Sequence, residues 1–315
     1  MQVSKEGLAF VFPGQGSQFV GMGKDLFERY EVVRKRFDEA DASLGYQLSR
    51  ICFEGPADEL KLTRHTQPAL YICSVCCYDL LAQHSIVPRA VAGHSLGEYS
   101  ALYATGVVDF ETGLRLVQVR GEAMAAAAEA RPGRMAAIIG LNQQTVEALC
   151  EQAAQHGIVR VANINSPQQI VISGEPEGVE RAMALAHDAG AKRAVPLPVH
   201  GAFHSPLMQE AAETLRSALS NAPFNPPSLV FVNNADAAEL HDPEAIRDSL
   251  ARQVTSCVRW VDSIQLLANI GITHFVEVGP GKVLAGLIRR IVSGAKVFAA
   301  GSADELSAII DQWAG

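Results

Sequence analysis

The stretch from Ala90 to Ala101, AVAGHSLGEYSA, limits most strongly how this chain can fold. A short apolar run leads into Gly93-His94-Ser95-Leu96-Gly97, and a helical pattern follows at once. G-x-S-x-G between a buried parallel strand and a helix is the arrangement of a nucleophile elbow, in which glycines permit a sharp turn and expose the serine hydroxyl. The pentapeptide alone also fits an ordinary glycine-rich turn, so the flanking strand and helix are what favour a nucleophilic Ser95.

Two backbone segments could stabilise an anion near this serine. Leu8–Phe12 is a continuous apolar run that predicts a buried strand, and it ends at Pro13-Gly14-Gln15-Gly16. Glycines on both sides of Gln15 let its backbone approach a ligand, although a plain strand-to-helix turn would use the same residues. The backbone N–H of Leu96, at the start of the elbow helix, points to where an oxyanion would form.

Composition narrows the class of protein. The 315 residues are 48% hydrophobic, enough for a large core in one large domain or two unequal ones. A net charge of −8 disfavours nonspecific binding to nucleic acid. No apolar run reaches membrane-spanning length and no signal-peptide core is present, so we expect a soluble, cytoplasmic protein with no membrane partner. The six cysteines show no paired metal-binding clusters, which predicts reduced structural thiols and no metal site.

The middle of the chain has its own pattern. Residues 130–199 follow the order β-α-β-β-α-β, which is that of a ferredoxin-like unit. Because α/β patterning resumes afterwards, this unit is predicted to be a small domain inserted into an α/β hydrolase-like large domain with a parallel sheet, formed by residues 1–129 and 200–315. A cleft between two unequal domains is a usual place for a ligand.

Three local predictions bear on the site. A long apolar helix is expected over Ala69–Gln83, beginning after Pro68. A second helix is expected over Phe110–Ala128, with Asp109 as its N-cap. In the small domain, Asn165 is expected in the link between two strands.

Arg120 lies on the second of these helices, among apolar neighbours. One interpretation is structural: the arginine pairs with an internal carboxylate such as Glu122, or its head reaches solvent. The other is functional: a guanidinium held inside a pocket binds a carboxylate through two parallel hydrogen bonds. The helical pattern alone does not decide between them.

Two histidines follow the small domain, in His200-Gly201-Ala202-Phe203-His204. A nucleophilic serine needs a base within hydrogen-bond reach, and that base is usually a histidine. The chain has nine histidines, so chemistry alone does not select one, and each of these two could simply bond nearby backbone. The position of His204, directly before a helix at the domain junction, favours it as the base.

Five segments together resemble the acyltransferase family of malonyl-CoA:acyl carrier protein transacylases. In chain order they are FPGQGSQ (12–18), GHSLGE (93–98), QVRGEAM (118–124), GAFHS (201–205) and EVGPGKVLAGLIRRI (277–291). Any one of them could arise by chance, but the five occur in the family's order and cover the chain nearly end to end.

The resemblance implies a role for each matching residue. Ser95 corresponds to the nucleophile that carries the malonyl group, and His204 to its base. Arg120 corresponds to the arginine that holds the malonyl carboxylate. The backbone N–H groups of Gln15 and Leu96 correspond to the oxyanion hole.

Four further residues match positions around this centre. Gln253 corresponds to a glutamine whose backbone carbonyl orients the histidine, which accounts for the lack of an acidic third member. Asn165 corresponds to an asparagine lining the site from the small domain. Phe203 is expected to form a wall beside the malonyl α-carbon, and His94 to support the elbow without taking part in the chemistry.

The resemblance implies transfer of a malonyl group from malonyl-CoA to the phosphopantetheine thiol of acyl carrier protein, through a malonyl-serine, in support of fatty acid biosynthesis. No bound cofactor is implied. A discrete acyltransferase serving a polyketide synthase would share every motif. An acyl hydrolase that clears carrier-protein thioesters is disfavoured by Arg120, and a non-catalytic carrier-protein binding module by the intact Ser95, His204 and Gln15.

Carrier proteins of this kind are acidic, so basic residues are expected to dock them despite the net charge of −8. The candidates lie after Gly281 and on the small domain: Lys282, Arg289, Arg290, Lys192 and Arg193. The alternative is that these are solvated surface charges.

Overall fold

The computed structural model describes residues 5–313. Its strands are β1 Leu8–Phe12, β2 Ala90–Gly93, β3 Arg134–Ile139, β4 Val159–Ser166, β5 Gln169–Gly174, β6 Arg193–Pro196, β7 Val230–Val232, β8 His274–Val278 and β9 Lys296–Ala300. Its α-helices are α1 Lys24–Arg29, α2 Glu31–Leu44, α3 Leu48–Glu54, α4 Ala57–Leu60, α5 Thr63–Gln83, α6 Gly97–Ala104, α7 Phe110–Ala130, α8 Gln143–Ala153, α9 Pro176–Asp188, α10 Gln209–Asn221, α11 Pro243–Gln253, α12 Trp260–Asn269, α13 Val283–Ile291 and α14 Ala303–Trp313. Within this range no helix has the length and apolar character needed to cross a bilayer.

A five-stranded parallel sheet, in the order β7-β2-β1-β8-β9, forms the centre of the molecule. Every residue of β1 is buried, as expected for a parallel strand whose two faces are covered by helices. Phe12 of β1 lies opposite Gly93 of β2, and the His94 N–H donates to the Phe12 carbonyl over 2.9 Å. This register brings the loop that carries Gln15 against the elbow, because parallel strands end at the same edge of a sheet.

The second sheet contains four antiparallel strands in the order β4-β5-β3-β6, with α8 and α9 as the connecting helices. Both the chain order and the strand order are those of a ferredoxin-like unit. The predicted α/β fold with an inserted small unit is therefore confirmed. The domain limits stay predictions: the strands of the small sheet lie between Arg134 and Pro196, and the outermost residues of the predicted large domain, 1–4 and 314–315, lie outside the described residues.

Backbone hydrogen bonds join the outer edge of the small sheet to the segment that follows α11. The Val258 N–H donates to the Ala162 carbonyl over 2.8 Å, and the Ile164 N–H donates to the Val258 carbonyl over 3.0 Å. The segment after α11 thus runs parallel to β4 and pairs with its outer edge. This contact fixes the cavity-facing strand of the small sheet to the large domain.

Three local predictions were wrong in their limits. Helix α5 begins at Thr63 and not after Pro68, which lies inside it. Packing outweighs the helix-breaking tendency of proline there, because the surrounding residues are buried almost without exception. Helix α7 continues to Ala130, two residues beyond its predicted end, and Asn165 lies within β4 and not in the following link. The predicted cap is confirmed, since the Asp109 side chain accepts from the backbone at the start of α7.

Candidate active site

The elbow is a turn with no room for side chains. A Cβ atom added at Gly93 would lie 1.9 Å from the carbonyl carbon of Gly97, and one added at Gly97 would lie 2.1 Å from the Phe12 carbonyl oxygen. The start of α6 therefore presses directly against the ends of β1 and β2. Ser95 itself has φ 52°, a left-handed conformation that a non-glycine residue rarely adopts and that is typical of strained functional turns.

Ser95, His204 and Gln253 form a hydrogen-bonded chain. The Ser95 Oγ lies 2.8 Å from the His204 Nε2, and the His204 Nδ1 lies 2.9 Å from the Gln253 backbone oxygen. A carbonyl oxygen can only accept, so Nδ1 carries the hydrogen and Nε2 offers its lone pair to the serine hydroxyl. A neutral carbonyl thus stands where many triads place a carboxylate.

His204 is buried, with 5% of its surface exposed, and has φ 58°. Burial and the nearby positive charge of Arg120 lower its pKa to about 3. The imidazole is therefore neutral at pH 7, in the state that a general base requires.

Arg120 reaches the serine from α7. Its Nη2 donates to the Ser95 Oγ over 3.0 Å and to the Gln253 Oε1 over 2.8 Å, and its Nη1 donates to the Gln67 Oε1 over 2.8 Å. Only 1% of the residue is exposed. Both structural interpretations of Arg120 are therefore wrong: the head does not reach solvent, and Glu122 instead bonds a residue of its own helix.

One donor of this guanidinium has no partner. The Arg120 Nε is buried and donates to no group among residues 5–313. An unpaired N–H on a buried cation is costly, and such groups are rare in folded proteins unless a ligand or water completes them. The arginine therefore retains capacity for an anionic ligand beside Ser95.

His94 and Asn165 link the elbow to the small sheet. The His94 Nε2 lies 2.8 Å from the Asn165 Oδ1, and the His94 ring packs edge-on against Trp260 with 5.4 Å between ring centroids. Burial lowers the pKa of His94, so this ring too is neutral and donates to the asparagine oxygen. The contact is a bridge across the cavity and not a step in proton transfer from Ser95.

These residues surround one cavity of about 130 Å³ between the two sheets. Eight of the nine site residues predicted from the sequence line it: Gln15, His94, Ser95, Leu96, Arg120, Asn165, Phe203 and His204. The ninth, Gln253, lies behind His204 and contacts it through its backbone. The backbone N–H groups of Gln15 and Leu96 have no acceptor among the described residues, so both are free to bind an oxyanion.

Three polar residues of the site were missed from the sequence. Gln67 holds Arg120 and directly precedes Pro68 in an apolar helix, where a buried amide is unusual. Asn234 follows β7, and its Oδ1 accepts from the Ser95 N–H over 2.6 Å. Its position past the end of a parallel strand was an available signal, since that edge of a sheet carries ligand-binding residues.

Glu98 is the third, and it is fully buried in the first turn of α6. Burial raises its pKa to about 8, against the opposing effect of hydrogen bonds from Asn234 and Gln253 and of the Arg120 charge. Its signal in the sequence was a single acid in the otherwise uncharged helix GEYSALYA.

The fold and the site define an α/β protein with a serine elbow, a neutral histidine and a buried arginine in one cavity. A profile of the acyl transferase domain matches residues 9–313, so the chain belongs to the acyl transferase family.

Within that family the chain is similar to particular proteins. It is 49% identical over 285 residues to the malonyl CoA-acyl carrier protein transacylase of Escherichia coli K12, covering 90% of this chain and 92% of that protein. The crystal structure of malonyl-CoA:acyl carrier protein transacylase from Xanthomonas oryzae pv. oryzae superposes with a TM-score of 0.95, at 41% identity and full coverage of both chains. A malonyl-transacylase in complex with its type II polyketide acyl-carrier protein gives a TM-score of 0.94 at 42% identity, covering 97% of this chain and 99% of that one.

The depressed pKa of His204 predicts a pH-dependent stability. The unfolded chain binds a proton at this residue below an ordinary pKa of 6.5, whereas the folded chain binds one only near pH 3. Between these values the unfolded state holds more protons, so acidification from pH 7 to pH 5.5 should remove about 1 kcal/mol of this residue's contribution to the free energy of unfolding.

Urea denaturation at both pH values should show a smaller change in the free energy of unfolding for His204→Gln than for wild type. His187→Gln, at an exposed position, is the control and should behave as wild type; identical pH dependence in all three proteins would mean that folded His204 does take up a proton.

Proposed function

We propose that this protein transfers a malonyl group from malonyl-CoA to the phosphopantetheine thiol of acyl carrier protein, through an ester on Ser95, and supplies fatty acid biosynthesis. The observation that carries the proposal is the buried Arg120 guanidinium, which donates to the Ser95 Oγ and retains an unpaired Nε. Such a group favours an acyl chain that ends in a carboxylate. The similarity to malonyl CoA-acyl carrier protein transacylases supports the same substrate class.

Acylation follows from the geometry. The Ser95 Oγ attacks the thioester carbonyl carbon while the His204 Nε2, 2.8 Å away, accepts the hydroxyl proton. The free N–H groups of Gln15 and Leu96 stabilise the tetrahedral oxyanion. As the C–S bond breaks, protonated His204 returns the proton to the thiolate, so CoA leaves as a thiol and malonyl remains esterified to Ser95.

Transfer repeats these steps in reverse. The carrier protein's thiol loses its proton to His204 and attacks the ester, and the Ser95 oxygen recovers the proton when the C–O bond breaks. Arg120 binds the malonyl carboxylate throughout, which selects a diacid over a neutral acyl chain and holds the ester away from water. Phe203 and Asn165 both line the cavity, and Asn165 bonds His94. In this proposal Phe203 forms the wall beside the malonyl α-carbon.

A larger cavity adjoins the first and gives room for the rest of the substrate. Its volume is about 350 Å³, and it shares Gln15 and Val199 with the inner cavity. Lys61, Arg64 and His200 lie among its lining residues. Asp58, Glu129 and several apolar residues complete its walls. A mixed polar and apolar cavity next to the inner one fits the pantetheine arm common to malonyl-CoA and the carrier protein.

The carrier protein is proposed to dock on the basic residues on and beside α13 and β6. The Arg290 Nη1 donates to the Gln169 Oε1 of β5 over 3.1 Å, and Ile139 of β3 lies opposite both Gln169 and Arg193. Gln169, the partner of Arg290, and Arg193 therefore lie two strands apart on the same face of the small sheet, with about 10 Å between their Cα atoms. Lys192 is exposed beside them.

These basic residues are not equivalent. Lys282 is already paired with Glu305 over 2.6 Å, which makes it the weaker candidate. Arg193, Arg289, Arg290 and Lys192 form no ion pair with residues 5–313 and remain available to an acidic partner.

The proposal also concerns the pathway that the protein serves and its cellular location. A polyketide role is the second candidate, favoured by the likeness to a malonyl-transacylase bound to a type II polyketide carrier protein. The cytoplasmic location stays a prediction of the sequence. A hydrolase acting on carrier-protein thioesters is disfavoured by Arg120, whose position beside Ser95 suits retention of an acidic acyl group.

Labelled malonyl-CoA tests the proposal directly. Wild type should acquire a malonyl adduct on Ser95 and pass it to added carrier protein, whereas Ser95→Ala should acquire none, because it lacks the hydroxyl that bonds the His204 Nε2. Intact-mass spectrometry before and after addition of carrier protein measures both steps. An adduct that persists in Ser95→Ala, or release of free malonate in place of transfer, contradicts the proposal.

Arg120→Ala should change substrate preference and not only activity. The loss of charge-assisted hydrogen bonds to the malonyl carboxylate should lower kcat/KM for malonyl-CoA by about 10²-fold or more. The kcat/KM for acetyl-CoA should rise relative to wild type. Arg120→Lys should also be impaired, since a point charge lacks the planar fork of the guanidinium. Arg115→Ala removes an exposed arginine of the same helix and is the control. Equal malonyl-to-acetyl ratios in all four proteins would assign selectivity to other residues.

The docking proposal predicts that the KM for carrier protein and the KM for malonyl-CoA respond differently to the same substitutions. Charge reversal at Arg290 together with Arg193 should raise the KM for carrier protein by about tenfold, since unfavourable charge pairs cost more than 1 kcal/mol at an interface, and should leave the KM for malonyl-CoA nearly unchanged. Steady-state kinetics with each substrate varied in turn measures this, with Arg115→Glu as the control. A similar rise in both KM values, or in neither, contradicts the assignment.

A further inference from the structure

Glu98 is a buried carboxylate whose polar contacts are all hydrogen-bond donors. Its Oε1 accepts from the Asn234 backbone N–H over 2.8 Å, and its Oε2 accepts from the Gln253 Nε2. No ion pair joins it directly to a basic residue among residues 5–313. Because both oxygens face N–H groups, only the ionised carboxylate satisfies both contacts.

The Gln253 side-chain amide connects this carboxylate to the arginine of the site. Its Nε2 donates to Glu98 and, over 2.9 Å, to the Ser95 carbonyl, while its Oε1 accepts from the Arg120 Nη2 over 2.8 Å. A guanidinium can only donate, and carboxylate and carbonyl oxygens can only accept, so one orientation of the amide satisfies every contact. The amide dipole is thus fixed between an anion and a cation.

We infer that Glu98 is a positioning residue, which acts through the Gln253 side-chain amide to fix the direction of the Arg120 guanidinium beside Ser95. This inference rests on the proposed malonyl transfer. Gln253 consequently has two independent functions: its backbone carbonyl holds His204, and its side chain, set by Glu98, holds Arg120. A displaced guanidinium would form weaker hydrogen bonds to the malonyl carboxylate. An acetyl group has no carboxylate and would not be affected in this way.

The substitution that tests this inference must keep the contacts of Asn234 with the elbow. Asn234 accepts from the Ser95 N–H and donates to the Gly93 carbonyl over 2.7 Å, so loss of its bond to position 98 would disturb the nucleophile as well. Glu98→Gln can keep its amide oxygen toward Asn234. Its NH₂ group then faces the Gln253 Nε2, two donors meet, and the Gln253 amide must rotate and turn its own NH₂ toward Arg120.

The experiment compares kcat and KM for malonyl-CoA and acetyl-CoA in wild type and Glu98→Gln at pH 8.5, above the pKa of about 8. The expected result is a loss of about 10²-fold in kcat/KM for malonyl-CoA, mostly through KM, because small displacements of a substrate-orienting group have effects of that size. The rotated Gln253 amide also gives up its bond to the Ser95 carbonyl, which matters for both substrates, so the value for acetyl-CoA should fall by no more than about tenfold and the malonyl-to-acetyl ratio should still fall by about tenfold or more.

Glu277 supplies a matched control. It is also fully buried, and its carboxylate accepts from the N–H groups of Leu284 over 3.1 Å and Ala285 over 2.7 Å, away from the cavity. Glu277→Gln should lower thermal stability and leave the malonyl-to-acetyl ratio as in wild type. A purely structural role for Glu98 would make the two variants behave alike, and that result overturns the inference.

Two further measurements keep the test decisive. If Glu98→Gln does not fold, Gln253→Met removes the amide and retains the backbone carbonyl for His204, and it should lower the malonyl-to-acetyl ratio of kcat/KM whatever its effect on both values; an unchanged ratio overturns the inference. A wild-type protein that forms no malonyl adduct overturns the proposed function and this inference with it. A normal wild-type adduct beside an unchanged ratio in Glu98→Gln overturns the inference alone.

Discussion

The site depends on a contact from which side chains are excluded, where the first turn of α6 meets the ends of β1 and β2. Cβ atoms at Gly93 or Gly97 would stand within about 2 Å of backbone atoms, so any other residue would push the helix away from the sheet. The close approach forces Ser95 into the left-handed region, and Asn234 holds it there by accepting its N–H. The geometry of the nucleophile is therefore set by backbone packing and one asparagine, before any chemistry begins.

The second determinant is a guanidinium and a carboxyl group that are both removed from water. Arg120 is 1% exposed and Glu98 is fully buried, yet they do not touch; the Gln253 amide lies between them. Separation by an amide keeps the guanidinium partly unsatisfied, as its Nε shows, whereas a direct ion pair would have occupied it. The low polarity of this environment strengthens the interaction between the guanidinium and an anion that binds to it. It also makes an unpaired charge at this place costly.

Local patterns were enough to predict the elbow, the buried strand β1 and the ferredoxin-like order of the small sheet. The roles of Arg120 and Gln253 came from the family resemblance, because nothing nearby in the chain distinguishes them, whereas the position of His204 before a helix at the domain junction favoured it as the base. Gln67 escaped prediction since its partner Arg120 is 53 positions away, and the same holds for Asn234, 139 positions from Ser95. The contacts that decide these roles exist only after the helices pack, which also explains why α5 extends through Pro68 against its local preference.

The strip of backbone pairing between Val258 and β4 has a consequence for how the cavity can open. The same short segment, a few residues earlier, presents the Gln253 carbonyl that holds His204. If the small sheet swung away from the rest of the molecule as a rigid unit, it would either break both bonds to Val258 or pull on the segment that carries the Gln253 carbonyl. Opening the cavity by such a movement would therefore cost either two backbone hydrogen bonds or the alignment of His204 with its acceptor.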